Sequence, residues 1–173
     1  MTVPATPDLG IDWHRDMADL DLLVRFFLAN VQRRYISHGE VQGGRAADFR
    51  HWSPRLEDVL REDVRKCLRT GNAPLGNERI AVALRNGRLA GIAMVDVVTT
   101  GPASYSILQD VVVGRRQRGH GVGDGLIAWV EARLREEGIR RVFLESGHSN
   151  TRAHAFLHRE GYRTCSLVMT KEL

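Results

Sequence analysis

The sequence Leu108-Gln109-Asp110-Val111-Val112-Val113 runs directly into Gly114-Arg115-Arg116-Gln117-Arg118-Gly119-His120-Gly121-Val122-Gly123 and then Asp124-Gly125-Leu126. The first segment ends in a nearly continuous apolar run, which reads as a strand (Ser104 to Val113) buried on both faces. After Val122, the residues Leu126, Ile127, Val130 and Leu134 recur at helical spacing until Gly138. This pattern predicts an amphipathic helix from Val122 to Glu137 with a glycine stop. Between strand and helix, Gly119, Gly121 and Gly123 alternate along the chain, so no Cβ keeps the backbone from a ligand. The helix start adds unpaired N–H groups and the positive end of a dipole. Together these make a cradle for an anion such as phosphate. The plainer alternative is a tight strand-to-helix turn that binds nothing.

Two common phosphate loops do not fit. Gly114 and Gly119 have Walker spacing, but His120 and Gly121 stand where lysine and a hydroxyl residue belong. A dinucleotide fingerprint also fails. Its third glycine would fall on Asp124 or Leu126.

Upstream, Asp16 or Asp19 can cap a first helix to about Tyr35, with Leu20, Leu23, Val24, Phe27 and Val31 on one face. Residues 36–52 read as a loop. Ser53 and Pro54 open a second helix, in which Leu56, Leu60, Val64 and Leu68 repeat every fourth residue before Gly71. Asn86-Gly87 joins two β-rich runs, Arg79 to Leu84 and Leu89 to Val98, as a tight hairpin. Downstream, Arg141 to Glu145 reads as a short strand. A helix capped by Ser149 or Asn150 runs to about Glu160, and Tyr162 to Lys171 reads as a last strand. Helices followed by a hairpin and then β-α-β-α-β describe one mixed α/β domain over residues 9–173, after a loose tail at 1–8.

Composition narrows the function classes. The 173 residues are 43% hydrophobic and 27% charged, as in an ordinary globular protein. No apolar run approaches the ~20 residues of a membrane crossing, and the start of the chain does not resemble a secretory signal. Cys67 and Cys165 are far apart and form no framework, which suits a reducing cytoplasm. The net charge of +4 is spread out except at Arg115-Arg116-Gln117-Arg118, and aromatic residues make up only 6%. A small phosphorylated ligand suits this better than nucleic acid. His154 and His158 have zinc spacing, but no third ligand accompanies them and Ala155 replaces the glutamate of the zinc-protease motif, so no metal is expected.

The segment Arg118-Gly119-His120-Gly121-Val122-Gly123 resembles the Arg/Gln-x-x-Gly-x-Gly/Ala signature of the GNAT superfamily of acetyl-CoA-dependent N-acetyltransferases. Asn150-Thr151-Arg152-Ala153-His154-Ala155-Phe156 and then Gly161-Tyr162 resemble that family's second cofactor segment. The resemblance implies a mostly antiparallel sheet with splayed middle strands and about four helices. It implies that acetyl-CoA pairs its pantetheine with backbone at Val111, Val112 and Val113. The amides of Arg118, Gly119, His120, Gly121, Val122 and Gly123 would take the pyrophosphate, and Asn150 and Phe156 would flank the pantetheine arm. Phe156 as simple helix core is the alternative. A homodimer is common in the family.

The chemistry implied is acetyl transfer to a primary amine by direct attack in a ternary complex. Such an amine has a pKa near ~10.4 and arrives protonated, so the site must remove a proton. Asp110, at the edge of the cofactor strand, and Glu145, near the end of the next strand, are the candidate carboxylates. Many relatives place a tyrosine after the motif phenylalanine to protonate the departing thiolate, and this chain has Leu157 there. His148, His154, Tyr162 and Tyr35 are the possible substitutes. Small-molecule amines, including aminoalkylphosphonates, are the expected acceptors. A protein N-terminus or lysine, or a non-catalytic acetyl-CoA-binding module, are the rival readings.

Overall fold

The computed structural model describes residues 9–68 and 75–173. The chain forms two compact units, one running to Val31 and from Glu57 to Leu144, the other comprising Gln32–Leu56 and Glu145–Leu173.

The first unit is built on a five-stranded sheet in the order β1 (Leu9–His14), β4 (Glu78–Arg85), β5 (Arg88–Val98), β6 (Tyr105–Val113) and β7 (Val142–Phe143). All neighbours are antiparallel except β6 and β7. β4 and β5 join through Asn86 and Gly87 at φ 51° and 71°. That is the left-handed pair a two-residue hairpin requires, as the sequence predicts. β1 is an addition to the sequence reading. Leu9, Ile11 and Trp13 alternate with polar or small residues, and the strand pairs with β4 from Leu9↔Arg85 to His14↔Ile80.

α1 (Leu20–Asn30) follows a 3-10 turn in which the Asp16 carboxylate accepts the Ala18 N–H at 2.9 Å. It stops short of the expected Tyr35. The Asn30 side-chain amide donates to the Phe26 carbonyl at 2.8 Å, and Val31 turns extended. α3 (Leu56–Cys67) buries Leu56, Leu60 and Val64, and Leu68 just beyond it, as their four-residue period predicts. The expected stop at Gly71 lies outside the described residues. α4 (Val122–Glu136) buries Leu126, Ile127, Val130 and Leu134 and packs on β1, β4, β5 and β6. Glycine permits that approach. A Cβ on Gly91 would stand 2.8 Å from Leu126 Cδ1 and 2.9 Å from Val122 Cγ1. At the far end, Trp13 and Trp129 meet edge to face at 5.1 Å between centroids.

In the second unit the expected loop 36–52 is ordered. It contains α2 (His38–Gln42) and a small antiparallel hairpin of β2 (Ala46–Asp48) and β3 (His51–Trp52). α5 (Thr151–Arg159) occupies the helix expected there. The predicted last strand does not form. Residues 162–173 pair with no strand among the described residues, and Leu167 and Met169 are 84% and 87% exposed. Alternating apolar residues are only half of a strand, which also needs a hydrogen-bonded neighbour.

The architecture is therefore the mixed, mostly antiparallel α/β fold that the sequence implies, with five α-helices among the described residues. One half-buried carboxylate in the sheet is testable. Burial pushes the Asp96 carboxyl above its ordinary range, and Glu78, its cross-strand partner, adds repulsion. A raised folded-state pKa means that the neutral form is favoured. Its stabilising effect is present below the unfolded pKa and is lost as pH rises through the folded one. Asp96→Asn should therefore raise Tm near pH ~7 and lose that advantage near pH ~3, read by thermal unfolding at both values.

Candidate active site

The turn from β6 into α4 is held by side chains. Gly114 N–H donates to Ala90 C=O at 2.9 Å, and Gln117 N–H closes a 3-10 turn on Gly114 C=O at 2.8 Å. Gly119 and Gly121 then sit at φ 78°, with nothing within 4 Å of where a Cβ would stand. Gly121 is the N-cap of α4 and brings no side chain to satisfy the first amides. Among the described residues, the loop hydrogen bonds use none of the N–H groups of Gly119 to Gly123. The helical ladder is entered by Gly125 N–H on Gly121 C=O at 2.9 Å.

Three side chains fix this geometry. Arg118 turns back, donating through Nε to Val113 C=O at 3.2 Å and through Nη2 to Asn30 C=O at 2.6 Å. Asn30 Oδ1 accepts Arg115 N–H at 2.9 Å. From the end of β4, Arg85 Nη2 donates to His120 C=O at 2.7 Å and Nη1 to Gln117 Oε1 at 3.2 Å. The His120 carbonyl is thus occupied while the glycine amides are not, which is the polarity an anion requires.

The strand leading into the turn is equally prepared. The β5–β6 register slips between Met94↔Asp110 and Val95↔Leu108, leaving Gln109 as the extra residue of a β-bulge. Beyond the bulge, Gly114 faces Ala90 through its N–H. By strand alternation, Val111 and Val113 therefore turn their backbone groups away from β5. On that side β7 pairs only with Ser106 and Ile107. The two strands then part, and the edge from Gln109 to Val113 has no strand beside it in this sheet. Val111 and Val113 are accordingly half-buried, whereas the sequence predicts burial on both faces.

In the second unit, Glu145 gathers one end of α2. Its Oε1 accepts the Gly39 N–H at 2.8 Å and contacts the Ser37 hydroxyl, and its Oε2 lies 2.9 Å from His38 Nδ1. Ser37 also forms a capping box with Glu40, whose Oε2 accepts Ser37 N–H at 2.7 Å and lies 2.6 Å from Ser37 Oγ. Glycines let the segments meet. A Cβ on Gly39 would crowd Glu145 Oε1, and one on Gly147 would crowd the carbonyl oxygens of Arg34 and Ile36. With Nδ1–H directed at a carboxylate, the neutral imidazole keeps its Nε2 lone pair, and Nε2 of His38 carries no hydrogen bond among the described residues. In the nearby hairpin, Asp48 accepts from His51 Nδ1 at 2.9 Å. That bond, followed by the Arg50 N–H, holds the Asp48 carboxyl below its ordinary range.

The profile of the acetyltransferase (GNAT) family matches residues 45–162. The chain belongs to this family. Proteins of this family use acetyl-CoA as acyl donor. The aminoalkylphosphonate N-acetyltransferase of Salmonella typhimurium (strain LT2) is 31% identical over 99 residues, 56% of this chain and 64% of that protein, so the match spans less than two thirds of the relative. Among solved structures, aminoglycoside N-acetyltransferase AAC(6')-Iy in complex with CoA superposes with a TM-score of 0.68 at 15% identity, covering 99% of each chain. An aminoglycoside acetyltransferase from an uncultured soil metagenomic sample, in complex with sisomicin, gives 0.62 at 17% identity, covering 95% of this chain and 96% of that one. At such identities the two structures show the shared fold.

The residues of this GNAT chain suit the donor. Unused amides at Gly119 to Gly123 match a diphosphate, and the open backbone edge at Val111 and Val113 matches an amide-bearing arm. Asp110, expected at this edge, faces inward and is 1% exposed. The Glu145 side chain is 41% exposed, but its oxygens are already engaged by α2. Asn150 is the N-cap of α5 without a side-chain cap bond, and Phe156 is half-buried beneath the Arg159 guanidinium, on a helix with no buried residue. Glu40, in the segment read as a loop, is buried in its capping box. Sequence reasoning missed Ser37, Asn30 and Arg85. Ser37-x-x-Glu40 was a legible capping signal, whereas Asn30 and Arg85 carry none.

Gly147→Ala would force a Cβ to within 2.4 Å of Ile36 O and 2.5 Å of Arg34 O. It should cost about 3 kcal/mol in urea unfolding, since backbone oxygens cannot step aside like a side-chain end.

Proposed function

We propose that this acetyltransferase moves the acetyl group of acetyl-CoA to a primary amine of a small molecule, by direct attack in a ternary complex. The observation that carries the donor half is the glycine turn whose amides are left unused while Arg85 holds its His120 carbonyl and Arg118 folds back onto Val113 and Asn30. Support for a small-molecule acceptor comes from the aminoalkylphosphonate N-acetyltransferase relative. The ordered hairpin also brings Trp52 to 6.5 Å from Tyr35, with Asp48 and His51 on the same element. Asn150 and Phe156 keep, as a proposal, the cofactor role that their motif implies.

Acetyl-CoA supplies a thioester carbonyl. The backbone N–H of Val111 or Val113 is suited to receive the charge that develops on its oxygen. The acceptor's ammonium must first lose a proton. We assign that step to the Asp110 carboxylate, which precedes Val111 on β6, acting through water. Nitrogen then bonds to the carbonyl carbon, the C–S bond breaks, the thiolate takes the second nitrogen proton through water, and Asp110 returns its proton to solvent. Cys67 is buried and Cys165 lies 4.0 Å from Ser166 Oγ, and the proposed route uses neither thiol.

The test has two stages. Acetyl-CoA should raise Tm, because it binds the folded state alone. Thiol release should then appear with 2-aminoethylphosphonate or an aminoglycoside as acceptor. Asp110→Asn should lower kcat about 100-fold while keeping the Tm shift. A Tm shift without turnover on any amine would favour a binding module, for which Leu157 at the usual tyrosine position is the motivating feature.

A further inference from the structure

Asn30 lies far from the glycine loop in sequence, at the end of α1, yet it binds that loop at two points. Its Oδ1 accepts Arg115 N–H at 2.9 Å, and its carbonyl accepts Arg118 Nη2 at 2.6 Å. Its Nδ2 is anchored on Phe26 C=O at 2.8 Å, so the side chain cannot rotate without breaking a helix-terminal bond. Arg85 does the equivalent work from the hairpin side, on His120 C=O and Gln117 Oε1. Asn30 takes up two donors of the loop, the Arg115 N–H and the Arg118 guanidinium, and Arg85 takes up two of its acceptors. None of these contacts uses a glycine amide.

We infer that Asn30 and Arg85 are positioning residues for the diphosphate of acetyl-CoA. They hold the turn from Gly114 to Gly121 in its ligand-ready shape before the donor arrives. The inference rests on the donor reading above. Its physical basis is preorganisation. A glycine-rich turn left to itself samples many conformers, because glycine visits both signs of φ freely. A loop that must be ordered at the moment of binding loses affinity to the entropy of ordering. Here α1 and the β4–β5 hairpin supply that order in advance through side chains that never touch the ligand. Arg118, the charged residue of the family motif, is part of the same brace. Its guanidinium faces two backbone carbonyls, so its contribution to an anion is the shape of the turn.

A brace for the diphosphate must discriminate between donors with and without one. Acetyl-CoA and S-acetylpantetheine, which lacks the diphosphate and nucleotide, are titrated into the full chain and followed by amide chemical shifts, which read millimolar affinities. Asn30→Ala and Arg85→Met should each raise the Kd for acetyl-CoA roughly tenfold, the loss of one to two hydrogen bonds. They should leave the Kd for S-acetylpantetheine within about twofold and, in the thiol-release assay, leave kcat at saturating acetyl-CoA unchanged. Arg85→Lys, which keeps one donor for His120 C=O, should recover part of the loss. An unchanged acetyl-CoA Kd overturns the inference. So does equal weakening of both donors, which would mark a general loss of fold. If the unsubstituted protein binds neither donor, the donor reading falls, an outcome distinct from either of these.

Discussion

The architecture turns on one constraint: a short run of backbone N–H groups at the start of α4 must stay unbonded in a folded protein. A loop this rich in glycine could satisfy its amides by closing on itself. It does not, because its flanks and the His120 carbonyl are tied elsewhere. Arg118 holds Val113 and Asn30, Asn30 holds Arg115, and Arg85 holds His120. The positive end of a fifteen-residue helix is then directed at an unfilled set of donors. α4 can lie close behind this turn because Gly91 leaves room for Leu126 and Val122.

The sheet imposes a matching condition. The bulge at Gln109 and the early end of the β6–β7 pairing leave a stretch of β6 with strand geometry and no strand neighbour on one side. Exposed edges are normally blunted or covered, since they template unwanted pairing. One that is left short, inside a sheet, and beside an anion cradle is suited to a ligand with its own amide groups. In the second unit, the Glu145 carboxylate collects a hydroxyl, a backbone amide and an imidazole. This arrangement gives a histidine a defined tautomer, the property that separates an acid–base group from a solvated side chain.

Local signals were read correctly where the physics is local. The hairpin at Asn86-Gly87, the α3 stripe of Leu60 and Val64, and the α4 stripe ending at Leu134 follow from turn chemistry and periodicity. Errors arose where a partner decides the outcome. Tyr162 to Lys171 has the pattern of a strand but pairs with none among the described residues, and Leu9 to His14 is a strand because β4 pairs with it. The helix expected to reach Tyr35 ends at Asn30, whose side chain caps it and then serves the loop. The loop from Ile36 to Trp52 looked irregular because its order depends on Ser37 meeting Glu145 over more than a hundred residues of sequence.

The sequence alone determined that a strand, a glycine turn and a helix follow one another from Leu108 to Glu136, and which residue types line that turn, because these depend on neighbours a few residues apart. The tertiary structure alone decided which of the turn's polar groups would be spent. Asn30 and Arg85 reach it from α1 and β4, and a hydrogen bond between residues distant in sequence has no periodicity from which to be read.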